Sequence, residues 1–132
     1  MEAELVRETM ALVRALLLIG VVHPLLYRML IGRMYYAAHH LGRRLLIEIG
    51  VLPDEWRQNV HRRVLEELER HYVSTGRMSR EALDALSELR TLRIAVDYEL
   101  SWRPRLSHVH RALELLELFA NEGFRILGGE LT

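Results

Sequence analysis

Cysteine is absent from the 132 residues. That excludes disulfides, a thiolate nucleophile and a cysteine zinc site, and it fits a reducing compartment. Lysine is absent as well, since all 18 basic residues are arginine. No lysine can serve as base or Schiff-base former, and any phosphate contact must come from guanidinium groups. Neither sign of charge dominates: 18 acidic residues balance the arginines. Nothing global draws the chain to nucleic acid or to a membrane. The most apolar run, residues 15–22, lies between Arg14 and His23. A spanning helix needs about twenty residues, so this run reads as a buried helix end. The start Met1-Glu2-Ala3-Glu4 is acidic and lacks the basic opening of a signal peptide. The expected location is cytoplasmic, with no membrane contact.

Period-two alternation and Asn-Gly or Asp-Gly hairpin signals are also missing. What is present is helical periodicity. A chain of this length makes one domain, residues 1–132, and buries enough surface to need no staples. A first helix is expected over residues 2–19, with Leu5, Leu12, Ala15, Leu16 and Ile19 as its stripe. Gly20 and His23-Pro24 end it, because proline disfavours helical geometry in the residue before it. A second helix follows over residues 24–49, with Leu30, Met34, Ala37, Leu41, Leu45 and Ile49 recurring at steps of three or four. Gly32 inside it costs about 1 kcal/mol against alanine and suggests a close backbone approach. Gly50 stops it. Pro53-Asp54-Glu55 signals a third helix with Asp54 as its cap, ending at Ser74-Thr75-Gly76. Its inner face is Val60, Val64, Leu65, Leu68 and Tyr72. Ser79 caps a fourth helix. Arg103-Pro104 precedes a fifth, with Leu106, Val109, Leu113, Leu116, Ala120 and Phe124 inward and Gly128-Gly129 at its end. The expected fold is all-α, a five-helix up-and-down bundle.

The fourth helix stands out. Ala82, Ala85, Leu89, Leu92 and Val96 form a core face. Leu86, Arg90, Arg93 and Asp97 form a second strip about 90° around, flanked by Leu83 and Ile94. A surface helix needs one apolar stripe only. The second strip is either a solvated salt-bridge face, in which Arg93 and Asp97 bridge at four residues' spacing, or a protein interface or polar site between subunits.

Chemistry-bearing motifs are sparse. No phosphate-cradling glycine loop, His-Glu-x-x-His or nucleophile elbow occurs. Adjacent His39 and His40 diverge by about 100° on a helix, and His108 and His110 also split across faces, so no metal site and no cofactor is expected. Arginine–histidine pairs at the spacing of some small helical ribonucleases do occur: Arg33 with His39 and His40, Arg103 with His108 and His110, Arg105 with His110. Chance alone supplies about three such pairs in a chain this rich in arginine, so spacing carries little. Tyr36 and His40 share a face. Tyr35, Tyr36 and His61 read as packing residues or as ligand contacts. Trp56 and Trp102 look like packing anchors.

Four segments in order resemble a known family. Arg33-Met34-Tyr35-Tyr36-Ala37-Ala38-His39-His40 resembles the Arg-x-Tyr-Tyr-Ala-Ala-Phe-His signature of the small archaeal and bacterial HEPN-domain proteins. His61 within Asn59-Val60-His61-Arg62-Arg63-Val64 matches a histidine common in that group. Tyr72-Val73-Ser74-Thr75-Gly76-Arg77 resembles its next segment, and Arg93-Ile94-Ala95-Val96-Asp97-Tyr98 its Arg-x-x-Ala-Asp-Tyr motif. The resemblance covers about residues 24–125. It implies a five-helix bundle, commonly a homodimer, and pairing with a small nucleotidyltransferase-like protein, often as toxin and antitoxin.

Nuclease members of the wider family place a polar residue after the arginine and then a histidine, and two such motifs in a dimer cleft cut RNA without metal. Carried over, the arginine is Arg93. Ile94 stands at the polar position and Tyr98 at the histidine position, so both partners depart from the nuclease pattern. Asp97 beside an arginine would stay ionised, a poor base near neutrality. The resemblance therefore favours a module that binds nucleotide, RNA or its partner protein, with Arg90, Arg93, Tyr36, His40 and His61 as contacts. The alternative is a metal-independent endoribonuclease toxin using Arg93, Asp97 and Tyr98.

Overall fold

A computed structural model describes residues 1–128. Those residues form an all-α bundle of five helices: α1 (Glu2–Ile19), α2 (Pro24–Ile47), α3 (Val60–Leu68), α4 (Arg80–Tyr98) and α5 (Leu106–Ile126). No described helix is long and apolar enough to cross a membrane.

Helix α2 is the axis. It packs on every other helix and buries residues on most of its circumference, from Tyr27 to Leu46. Pro24 stands in its first turn, and the His23 ring nitrogen accepts the Leu25 N–H at 3.1 Å, so the helix starts on a side-chain cap. The helix ends at Ile47, two residues before the expected Ile49, and Gly50 takes the left-handed φ of 84° that the turn requires. Close backbone approaches occur at Gly42 and Gly123, not at Gly32 as expected. A Cβ on Gly42 would stand 3.2 Å from Val64 and Leu68, and one on Gly123 would stand 3.0 Å from Leu41. A Cβ on Gly32 would meet nothing within 4 Å. Gly42 thus admits α3, and Gly123 admits α5.

The third helix begins later than its start signals suggest. Pro53–Glu55 makes a single 3-10 turn, and α3 opens at Val60 after Asn59 in the left-handed region. Asp54 does not cap a helix; its carboxylate pairs with Arg43 on α2. Residues 48–59 lead the chain back along α2, so α3 runs the same way as α2. His61 sits beside Tyr35, Val64 and Leu68 beside Gly42, and the Tyr72 hydroxyl donates to the Leu45 carbonyl. The other consecutive helices alternate in direction. Beyond Leu68 the helix widens into one π turn over Glu69–Val73, which keeps Tyr72 buried.

Helix α4 is capped as expected: Ser79 Oγ accepts the Ala82 N–H at 3.1 Å. Its far end is closed from α2, where Arg28 donates to the carbonyls of Val96, at 2.6 Å, and of Trp102. That places a cation at the negative end of the α4 dipole. Ala82, Ala85, Leu89 and Val96 are buried, as the core face predicts. The second strip divides. Leu83 and Leu86 are also buried in the same chain, whereas Arg90 and Arg93 are only half-buried and Asp97 is exposed. The apolar half of that strip needs no second subunit to cover it. Trp56 and Trp102 pack at the edge of the core, and α5 ends at Ile126 with Gly128 at positive φ. Gly129, expected to share in that stop, lies outside the described residues.

Candidate functional site

Three of the seven histidines have structural duties. His23 caps α2, His108 accepts the Arg105 N–H at 2.9 Å at the start of α5, and His71 stands 3.4 Å from Glu67. The exceptions that converge are His39, His40 and His61. Residues 33, 36, 39 and 40 lie along one side of α2, and the parallel course of α3 brings His61 against them. The His39 and His61 ring centroids are 4.3 Å apart, and His39 and His40 are 5.5 Å apart edge to face.

These side chains meet at a cavity of about 290 Å³ lined from α2, α3 and α4. Met29, Gly32, Arg33, Tyr35, Tyr36 and His39 come from α2, His61 from α3, and Arg93 with Asp97 from α4. Gly32 contributes by absence, because any side chain there would project into open space at the wall.

Charge is unevenly distributed around this space. Arg93 Nε stands 2.8 Å from the Asp97 carboxylate, the four-residue ion pair expected within the helix. The guanidinium also stands 5.9 Å from the Tyr35 and Tyr98 ring centroids. Arg33 lies 4.4 Å over the Tyr36 ring, a cation–π contact, and makes no ion pair among the described residues. Arg90 makes none among them either, and its charge reaches both Tyr35 and His61. Two guanidiniums on the wall and a third behind it therefore stand against one carboxylate.

The polar groups beneath them are held neutral. His39 is 5 % exposed, and its Nδ1 has no hydrogen-bond partner among the protein's groups. Burial pushes its pKa down to about 3, helped by His61, His40, Arg43 and Arg93. Burial first and Arg93 second push His61 down as well, and burial with Arg43 does the same to His40. The Tyr35 hydroxyl and His61 Nδ1 share a hydrogen bond of 2.6 Å. Burial lifts Tyr35 to about 12 against the pull of Arg90 and Arg93, so the phenol keeps its proton and can donate it to that nitrogen. This bond fixes the His61 ring and leaves its other nitrogen to point elsewhere.

Of the residues expected from sequence, Arg93, Asp97, Tyr36 and His61 line the cavity. His40 stacks behind Tyr36 with centroids 4.3 Å apart and does not line it. Arg90 acts through charge alone. Tyr98 is exposed beside Arg93 and is outside the lining. Sequence reasoning did not single out Tyr35, His39 and Arg33 as a group. Among the arginine–histidine spacings, only Arg33 with His39 ends in one cavity, and the signal was indistinguishable from chance. No three potential metal ligands converge among the described residues. No family model matches the chain, and no curated protein matches it.

Proposed function

We propose that the protein is a binding module for a phosphate-bearing ligand, nucleotide or RNA, held in the cavity between α2, α3 and α4. The observation that carries this reading is the charge imbalance there: Arg33 and Arg93 on the wall, with the charge of Arg90 acting from behind it, against Asp97 alone. Guanidinium pairs phosphate bidentately, and Arg93, paired with Asp97 through Nε, stands on the cavity wall where a ligand would meet it. Tyr36, 41 % exposed at the wall, offers a ring for a base to stack on. The resemblance to small HEPN-domain proteins agrees, and with it the protein works as a homodimer alongside a small nucleotidyltransferase-like partner. Apolar side chains exposed next to the cavity support a covering subunit: Met29 on α2, and Ile94, Tyr98 and Leu100 at the end of α4. The test is calorimetric titration with nucleotides and short RNAs, together with the mass of the protein in solution. Saturable binding that is lost in Arg93→Ala, by a dimer, is the expected result. A monomer that binds no phosphate-bearing ligand would refute the reading.

A second reading, a metal-independent endoribonuclease, gains from one observation. The histidine missing after Arg93 in sequence is supplied in space, because His61 and His39 share the cavity with Arg93. A neutral histidine is a competent general base near neutrality. RNA cleavage and growth arrest on expression, both lost in His61→Asn and in Arg93→Ala, would establish it; tight RNA binding with no cleavage excludes it.

A further inference from the structure

The cavity has features that a general RNA-binding surface does not need, and they restrict its ligand. At about 290 Å³ it lies at the lower end of ligand pockets, which run from roughly 300 Å³ upward. That is room for a phosphoryl group with part of what it is attached to, in a pocket half open to solvent. Its most buried polar group, His39 Nδ1, is unpartnered. An unmade hydrogen bond in the interior costs on the order of 1–3 kcal/mol, so stability does not explain this nitrogen. His39 also lies ring to ring with His61. Two imidazoles this close cannot both carry charge cheaply.

The groups facing this pair are almost all cationic. Arg90 and Arg93 face it from α4, and His40 and Arg43 from α2; Asp97, engaged with Arg93, is the only carboxylate on the cavity wall. With protein charges alone the pair stays neutral at pH 7. An anion entering beside it reverses the local field. A monoanion leaves part of the arginine excess uncompensated. A dianion cancels it and so removes the repulsion that opposes a proton on the imidazoles, and His61, hydrogen-bonded to Tyr35 and only half-buried, is the better placed to take it.

Resting on the phosphate-binding reading, we infer that the cavity selects a phosphate monoester, as a free nucleoside monophosphate or a phosphorylated RNA end, over an internal diester, and takes up a proton at the His39–His61 pair on binding it. The basis is chemical. A monoester carries two charges above its second pKa of about 6, whereas a diester carries one at every working pH. Only the monoester cancels the cationic excess that opposes protonation of the pair. Above that pKa the proton must come from solvent, so affinity falls as pH rises, by up to about tenfold per unit for one proton.

Calorimetry in buffers of different ionisation enthalpy measures the proton uptake directly. The ligands are adenosine monophosphate, the dinucleoside ApA, and one short RNA with and without a terminal phosphate. The expected result is uptake of about one proton with the monophosphate or the phosphorylated RNA, and binding at least about tenfold weaker, without uptake, for ApA and the unphosphorylated RNA. Preference between the first two tells a free nucleotide from an RNA end. His61→Asn and, as an independent variant, His39→Asn should lose the uptake and flatten the pH dependence while retaining arginine-dependent binding. Equal binding of monoester and diester without uptake overturns this inference and leaves the phosphate-binding reading standing. Binding of none of these ligands overturns both.

Discussion

The two halves of α4 use the same residue types to opposite ends. In the first half Arg80 and Glu88 each have a counterpart on another element. Ser79 and its N–H are held by Glu122 of α5, Arg80 pairs with Glu69, and Arg111 grips Glu88 with two nitrogens at 2.8 and 2.9 Å. Between them Leu83, Leu86 and Leu89 are buried. In the second half Arg90 has no carboxylate and Arg93 shares Asp97 over one turn of its own helix. The first half spends its polar groups on holding helices together. The second leaves cationic capacity facing a cavity. Charged residues on a helix therefore say little until their partners are known, and the phosphate-binding proposal rests on the excess of arginine in the second half.

This contrast can be broken from either side. Leu89→Ala in the first half should cost about 2–5 kcal/mol in urea unfolding, the usual range for a buried leucine whose cavity cannot collapse. Arg93→Ala in the second half should leave stability within about 0.5 kcal/mol, as for an exposed bridge four residues apart. It should weaken phosphate-ligand binding by roughly ten- to a hundredfold, the loss of a charged hydrogen bond. If Arg93→Ala unfolds the protein instead, the arginine is structural and the contrast fails. The buried imidazole sharpens the comparison through pH. His39 has a folded pKa of about 3 against an ordinary 6.5, so below 6.5 the unfolded chain takes up a proton that the folded one refuses. Stability should fall steadily as pH drops from 6.5 towards 3, and His39→Phe should remove part of that fall in pH-dependent melting. The smallest effect belongs to the cap: Ser79→Ala should cost about 1 kcal/mol and leave ligand binding unchanged.

Helix spans were more legible than helix faces. α1 covers its expected span, α4 starts at its expected Ser79 cap, and α2 ends two residues early. The stripe expected on α1 was the wrong one: Val6, Met10 and Val13 are buried, whereas Leu12, Ala15 and Ile19 are exposed, because that helix carries apolar residues on more than one face. The run 15–22, expected as a buried helix end, is mostly exposed, and so is Leu106 at the start of α5. The third helix was misplaced because proline followed by acid marks any helical start, including a single 3-10 turn, and because Arg43 draws the Asp54 side chain away from a cap. The site was half legible. Arg93, Asp97, Tyr36 and His61 could be named because two polar strips and a family resemblance carry them. The grouping of His39 with His61 could not. It depends on α3 running alongside α2 in the same direction after the return of residues 48–59, and no helical period reports that. Tyr98 was expected at the site from its place in the resembled motif and His40 from the face it shares with Tyr36, yet neither lines the cavity.

The most direct test follows the side-chain nitrogen resonances of the histidines while adenosine monophosphate is added. The cavity account predicts saturable shifts at His39 and His61, with His71 at the far end of α3 unmoved, and their loss in Arg93→Ala. Resonances of His39 and His61 that stay still while the ligand binds elsewhere, or that move no more than His71, would contradict it.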